Sequence, residues 1–288
     1  MKNLAMKKLR VAKSGVKILR DDILFELQGD KAKAAISKGK RLDGRTMTEY
    51  RPISIQFDFS KNADGSCRVK IGDTDVIAGV KMEIGEPYPD SPEEGSISVG
   101  AEFTPMASPI FETGPPDEYS IELARVVDRC IRESKAVDFK KLLIEEGVKA
   151  WTVLIDIYVV NDAGNLFDAS AIAALGSLLT TRIPKLEGDK IVKNEYEGKL
   201  ELSCLPILTT FSKISNQIVV DASIIEEKAA EARLSVGTTD KKHICAIQKG
   251  LAGGFTKEEL EKCFTLSFEK AEELRLKLKQ ALDDKKEK

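Results

Sequence analysis

Long apolar runs are missing from this sequence: nothing approaches the roughly 20 consecutive residues that a bilayer-crossing helix needs. An excess of either charge is missing too. With 45 basic against 47 acidic residues the formal charge is −2, so no global positive field draws the chain onto a polyanion, and any nucleic-acid contact must be local. Histidine is nearly absent. The lone His243 has no nucleophile elbow beside it, which argues against Ser-His-Asp chemistry. The five cysteines, Cys67, Cys130, Cys204, Cys245 and Cys263, include no C-x-x-C pair. That argues against a disulfide framework or a thiolate zinc site, and buried free thiols in a reducing cytosol are expected.

Two weaker motifs also fail their tests. Gly250-Leu251-Ala252-Gly253-Gly254 lacks the Gly-Lys-Ser/Thr of a phosphate cradle and reads as a loop leading into a helix. Asp162, Asn165 and Asp168 lack the spacing and final Glu of a calcium loop, so turn chemistry explains them. No cofactor or metal is expected.

What is present is a chain of 288 residues, 42% hydrophobic, enough for a sizeable core. Met1 to Arg20 is basic but lacks the apolar core and cleavage site of a signal peptide; it reads as a helical or frayed, solvated surface arm, the alternative being an RNA-touching tail. An amphipathic lead-in from Val16 to Leu27 is broken by Gly39. Alternating Ile53, Ile55, Phe57 and Phe59, then Cys67, Val69 and Ile71, then Val76 to Ile84, predict antiparallel strands separated by Gly- and Asp-rich turns. A further strand is expected at Ser96 to Val99. Asp117 is placed to cap a helix with Ile121, Ala124, Val127 and Ile131 facing inward. Trp151 to Val160 reads as a strand and Asp168 to Thr181 as a helix rich in small residues. Pro184 is expected to close the first half.

After a charged stretch the order repeats, with strands at Leu202 to Leu208 and Gln217 to Val220 and a short helix capped by Ser223 and Glu226. A hairpin follows over Arg233 to Val236 and Ile244 to Gln248. Thr256 and Glu259 open the long final helix, whose Lys-rich end from Asp283 should fray. The expected organisation is an N-terminal helical arm over 1–37, a first α+β part over 38–184, a linker or exposed hairpin over 185–199, and a second part with a terminal helix over 200–288.

Three segments then carry a family likeness: Arg41-Leu42-Asp43-Gly44-Arg45, Gly72-Asp73-Thr74-Asp75-Val76-Ile77-Ala78-Gly79-Val80, and Ile121-Glu122-Leu123-Ala124-Arg125. In this order they resemble the RNase PH family from about Lys38 onward, and most of all its larger, inactive archaeal-exosome members. The resemblance implies an α+β RNase PH fold of two related sheet-and-helix units. It also implies a cytoplasmic ring in which three such chains alternate with three catalytic RNase PH-like subunits beneath RNA-binding cap subunits, degrading single-stranded RNA from its 3′ end with phosphate.

Departures from the active pattern matter as much. Attacking phosphate and RNA are both anionic, so catalysis needs cations or helix N-terminal amides to hold them together. Active members carry an arginine pair where this chain has Asp117-Glu118-Tyr119, and a phosphate-gripping turn with Thr/Ser and Arg where it has Gly164-Asn165-Leu166-Phe167-Asp168. Of the acidic pair in the second half only Asp221 remains, read as a strand-end cap rather than a catalyst. A non-catalytic subunit with no catalytic residues is therefore expected, the alternative being a divergent active phosphate-dependent 3′–5′ exoribonuclease.

Arg125, Arg129 and Arg132 share one side of a helix and suit phosphate binding, although Glu122, Asp128 and Glu133 offer intrahelical pairing instead. The resemblance favours Arg125 and Arg129 as RNA-binding and leaves Arg132 behind.

Overall fold

The computed structural model describes residues 27–188 and 190–286. The basic arm and the amphipathic lead-in before residue 27 lie outside the described residues. A helix, α1, covers 27–36 and buries Ala32 and Ile36.

The first half builds a large sheet. Strands β1 (Ile53–Phe57), β2 (Gly65–Ile71) and β3 (Thr74–Gly85) form an antiparallel meander, and β4 (Ser96–Phe103) follows. Helix α2 (Glu118–Glu133) leads to the short β5 (Leu143–Glu145) and the long β6 (Lys149–Asn161). The sheet order is β1-β2-β3-β6-β4, with β5 also on β6; β4 runs parallel to β6 and the remaining pairs are antiparallel. Helix α3 (Leu166–Thr180) follows, then a two-stranded ribbon, β7 (Arg182–Glu187) with β8 (Lys190–Lys199).

The second half is a smaller antiparallel sheet ordered β10-β9-β11-β12: β9 (Ile207–Ile214), β10 (Gln217–Val220), β11 (Ala232–Thr238) and β12 (Ile244–Gly250). Helix α4 (Ile224–Ala229) interrupts it and α5 (Lys257–Lys286) closes it.

The two sheets share a core element. Every residue of α3 except Leu179 is buried, because the helix packs between the large sheet and β9. Its small residues permit this: a Cβ built on Gly176 would lie 2.6 Å from the Cys67 sulfur on β2. Helix α2 packs instead against β4 and β12, an edge strand from each sheet.

Caps fall at the positions expected. The Asp117 carboxylate accepts from the Ser120 amide, Ser223 and Glu226 form a capping box, and Thr256 and Glu259 form another.

Four expectations are corrected. Ile121 does not face inward but is 47% exposed; at about 100° per residue it falls outside the arc of Leu123, Val127, Cys130 and Ile131. Pro184 sits within β7, tolerated because ribbon pairing shifts register around it. The strand expected at Leu202 begins only at Ile207, after Pro206, which cannot donate to a ladder. Of the Lys-rich end expected to fray, Asp283 to Lys286 is helical, with Lys285 paired to Asp58 on the large-sheet side, and 287–288 lie outside the described residues.

Candidate functional site

Helix α2 has a buried side and a cationic side. The 3.6-residue repeat gathers Arg125, Arg129 and Arg132 on one strip. Arg132 is engaged: its guanidinium donates to both Asp128 oxygens, at 2.8 and 3.1 Å, and to the Ile97 carbonyl at 2.9 Å. Arg129 donates to Gln248 Oε1 on β12 at 3.2 Å. Gln248 in turn donates to Glu122 at 3.1 Å, and Glu122 accepts from Arg233 at 2.6 Å. Arg125 is exposed and has no ion pair or hydrogen bond among the described residues. Both Arg125 and Arg129 line two adjoining grooves, of 330 and 360 Å³, one reaching toward β12 and the other toward Tyr88 and β4. Gln248, which sets the Arg129 side chain, carries no local sequence signal, lying 119 positions away.

The corner where α2 begins is acidic and aromatic rather than cationic: a cleft of 550 Å³ there is lined by Glu102, Phe103, Phe111, Glu112 and Asp117 and by no lysine or arginine. Asp117 caps the helix, and Tyr119 turns inward onto an aromatic row in which Phe111, Phe103, Tyr119 and Phe167 follow at centroid distances of 4.7, 5.3 and 5.7 Å. Burial pushes the Tyr119 hydroxyl well above its ordinary value. Over the far end of the row lies the Arg233 guanidinium, 4.1 Å from the Phe167 ring. The cleft alongside, 430 Å³, is lined by the carboxylates of Glu122, Asp162 and Glu227 against the cations Lys228 and Arg233. Burial raises Glu227 to about 7, with the Asn165 amide opposing and Asp162 adding to the rise.

Beneath this corner is an interior lattice of arginine and carboxylate. Arg41 grips Glu226 through two bonds of 2.6 and 2.9 Å and donates to the Asp221 carbonyl. Asp221 is fully buried and accepts from Arg45 at 2.8 Å, Arg51 at 2.7 and 2.9 Å, and the Asn165 amide at 2.9 Å. Burial alone would raise its carboxyl, but the Arg51 hydrogen bonds and charge, with Asn165, hold it below the ordinary value. Asn165 also donates to Asp168, which accepts from Tyr50 and from the Thr210 amide. Burial outweighs these donors and lifts Asp168 to about 6. Asn165 and Asp221 both have left-handed backbones, φ 59° and 49°.

This geometry revises the reading of Asp221. Its oxygens serve arginines brought from 170 and 176 positions away rather than capping a strand, and those bonds occupy the carboxylate. Asp162 and Asp168 also part company: Asp162 accepts from the Gly164 amide, while Asp168 points into the core. His243 is exposed in the β11–β12 turn, which its backbone closes by bonds to Thr239.

Models of the 3′ exoribonuclease (RNase PH) family match the chain at residues 49–184 for domain 1 and 204–270 for domain 2. The chain belongs to the RNase PH family. Similar curated members are named exosome complex component Rrp42. The one from Methanothermobacter thermautotrophicus is 45% identical over 88% of this chain and 94% of its own length. The one from Thermococcus kodakarensis is 43% identical over 91% and 97%. Among solved structures, an Archaeoglobus fulgidus exosome with RNA bound to the active site contains a chain 42% identical, with a TM-score of 0.84 over 88% of this chain and 99% of that one. An archaeal exosome core gives 39% identity and a TM-score of 0.81 over 90% and 99%.

Within the RNase PH fold, the Arg41–Arg45 segment supplies lattice arginines and the Gly72–Val80 segment forms the turn and first half of β3. The third segment, Ile121–Arg125, lies on α2 and places one arginine of the exposed strip.

Proposed function

We propose that this chain is the non-catalytic RNase PH-like subunit of an archaeal-type exosome core, acting in the cytoplasm. Three copies alternate with three catalytic RNase PH-like subunits in a ring, RNA-binding cap subunits sit on it, and this chain shapes the partner's active site and binds single-stranded RNA through Arg125 and Arg129.

The observation that carries the reading is the absence of any lysine or arginine from the cleft at the start of α2. A phosphorolytic site must hold phosphate beside an anionic chain. Here Tyr119 and Phe167 occupy an aromatic row, Asp117 serves as a helix cap, and Arg233 is tied to Glu122. The cleft at the start of α2 is lined by Glu102, Glu112 and Asp117 with no lysine or arginine, so an entering phosphate meets net repulsion. The α2 strip differs: an unengaged arginine and a lightly held one line both grooves between the sheet edges β4 and β12, and on the β4 side Arg125, Arg129 and Arg132 face only Asp128 and Glu133, a surface that ring closure would cover. Identity of 40–45% to exosome components over nearly the whole chain supports the assembly.

The test has two parts. The purified chain, given single-stranded RNA, phosphate and magnesium, is expected to show no turnover, and native mass spectrometry after co-expression with a catalytic RNase PH-like chain is expected to find three of each. Phosphate-dependent turnover by the pure chain well above background would establish the divergent-nuclease alternative. A monomer that ignores its partner at micromolar concentration would overturn the ring.

A further inference from the structure

Two of the five cysteines, 115 positions apart in sequence, meet in space. The Cys130 and Cys245 sulfurs lie 3.9 Å apart, joining the buried side of α2 to β12. No other pair of sulfurs among the described residues is within hydrogen-bonding reach.

Two backbone features prepare the meeting. On β12, Ala246 pairs with Gly237 and Ile244 with Thr238, leaving Cys245 as the extra residue of a bulge. Regular alternation would send Cys245 and Ala246 to opposite faces. The bulge instead turns both inward, Ala246 buried and Cys245 partly so, which aims the Cys245 side chain at α2. Gly237 on β11 then leaves room. A Cβ there would lie 2.8 Å from the Cys130 sulfur and 3.1 Å from that of Cys245, so any larger residue would press on both.

The pair is also chemically unequal. The Cys130 thiol, hydrogen-bonded to Cys245 and buried, is pushed well above its ordinary value. Cys245, hydrogen-bonded to Cys130 and near the Arg275 guanidinium, is lowered although burial opposes it. A lowered, partly exposed thiol beside a second sulfur has the character of a reactive cysteine with its resolving partner. Elsewhere Cys67 and Cys263 are buried and pushed up to about 12, while Cys204 donates to the Ser134 carbonyl.

We propose that Cys130 and Cys245 form a redox-modification site, closed to a disulfide by a hydroperoxide and reopened by a dithiol. The Cys245 thiolate attacks the peroxide oxygen, breaking the O–O bond; Cys245 becomes a sulfenic acid and the departing hydroxide takes up a proton. The Cys130 sulfur, its proton passing to the leaving oxygen, then attacks the Cys245 sulfur, so that the S–S bond forms, the S–O bond breaks and water departs. Two thiols lose two electrons and two protons in all, and hydrogen peroxide becomes two waters. The sulfurs must approach to about 2.0 Å, a movement the space over Gly237 accommodates. Closure fixes α2 to β12 beside Arg129 and three residues before Gln248, the side chain that holds it.

The experiment uses the full chain, reduced and then exposed to hydrogen peroxide, with thiol titration, peptide mapping and thermal unfolding. Titratable thiols are expected to fall from five to three. The map should contain one cross-linked peptide joining residues 130 and 245, lighter by two hydrogens, and dithiothreitol should restore both thiols. The unfolding midpoint should rise by about 5 °C on oxidation, since a cross-link closing a long loop restricts the unfolded chain; Cys245→Ser should lose that rise. Mapping the unaltered protein decides the matter even if a variant folds poorly. All five thiols surviving, a bridge to Cys204, or Cys245 carried to sulfinic acid with Cys130 still titratable would each overturn the proposal.

Discussion

Arginine is used in two opposite ways in this molecule. Inside, Arg41, Arg45 and Arg51 arrive from one loop and are closed by Glu226 and Asp221, with remaining donors spent on carbonyls such as those of Ala163 and Gly164. On α2, Arg125 and Arg129 stand on a strip where only a neutral amide, Gln248, engages either of them. The first set satisfies its charges within the fold and holds the two halves together. The second leaves positive charge directed outward on a chain whose overall balance is near zero, so local placement, rather than the amount of arginine, decides what can bind an anion.

The contrast is broken most severely at Asp221. Replacing it by Ala leaves Arg51 without its carboxylate in the interior, while Arg45 keeps Asp43, and a loss of about 3–5 kcal/mol in urea-unfolding free energy is expected. A loss below about 1 kcal/mol would mean that the lattice does not depend on its anion.

Asp168 gives the next largest effect, with an opposite sign. Its folded value, about 6, lies above the ordinary 3.8, so in that window the folded state holds more protons than the unfolded one. Its contribution to stability therefore declines as pH rises from 3.8 to about 6. Asp168→Asn should remove that decline and, by order of magnitude, gain about 2 kcal/mol at pH 8 while matching the parent near pH 4. An unchanged slope in unfolding measurements across the window would show that Asp168 does not titrate there.

On the open strip, changing Arg125 and Arg129 together to Glu should weaken RNA binding by the assembled complex about tenfold or more at low salt. For every phosphate no longer neutralised, the log–log salt dependence should flatten by about 0.7. Rings should still form. Unchanged affinity across salt concentrations would reduce the two arginines to helix-surface residues.

Arg132 sharpens the distinction at the small end. Bound to Asp128 and half exposed, it should cost only a few tenths of a kcal/mol when changed to Ala. RNA affinity should stay within error of the parent in the same titration; a drop as large as that of the double change would make Arg132 a third RNA contact.

Local signals in the sequence led to correct local structure. Asp117, Ser223 with Glu226, and Thr256 with Glu259 cap helices because capping links residues within three positions. Alternating apolar residues mark β1 to β3 because a strand with one buried face repeats every two residues. Long-range chemistry was not legible. The partners of Asp221 lie up to 176 positions away, Gln248 lies 119 from Arg129, and nothing near Cys130 announces Cys245. Ile121 misled because an apolar residue at helical spacing can fall just outside the buried arc. Of the candidate site, the arginine strip followed from the helical period, whereas the aromatic filling of the corner required Tyr119 and Phe167 to be brought together by the fold.

The burial of α3 has a consequence for how the protein is made. When the first half leaves the ribosome, α3 can settle on the large sheet, but the side destined for β9 has nothing to cover it. That surface, which includes Phe167 where the Arg233 guanidinium later lies, stays wet and adhesive until the following strands emerge. Nascent chains halted near Leu200 should therefore be chaperone clients, whereas chains extended through β12 should release them.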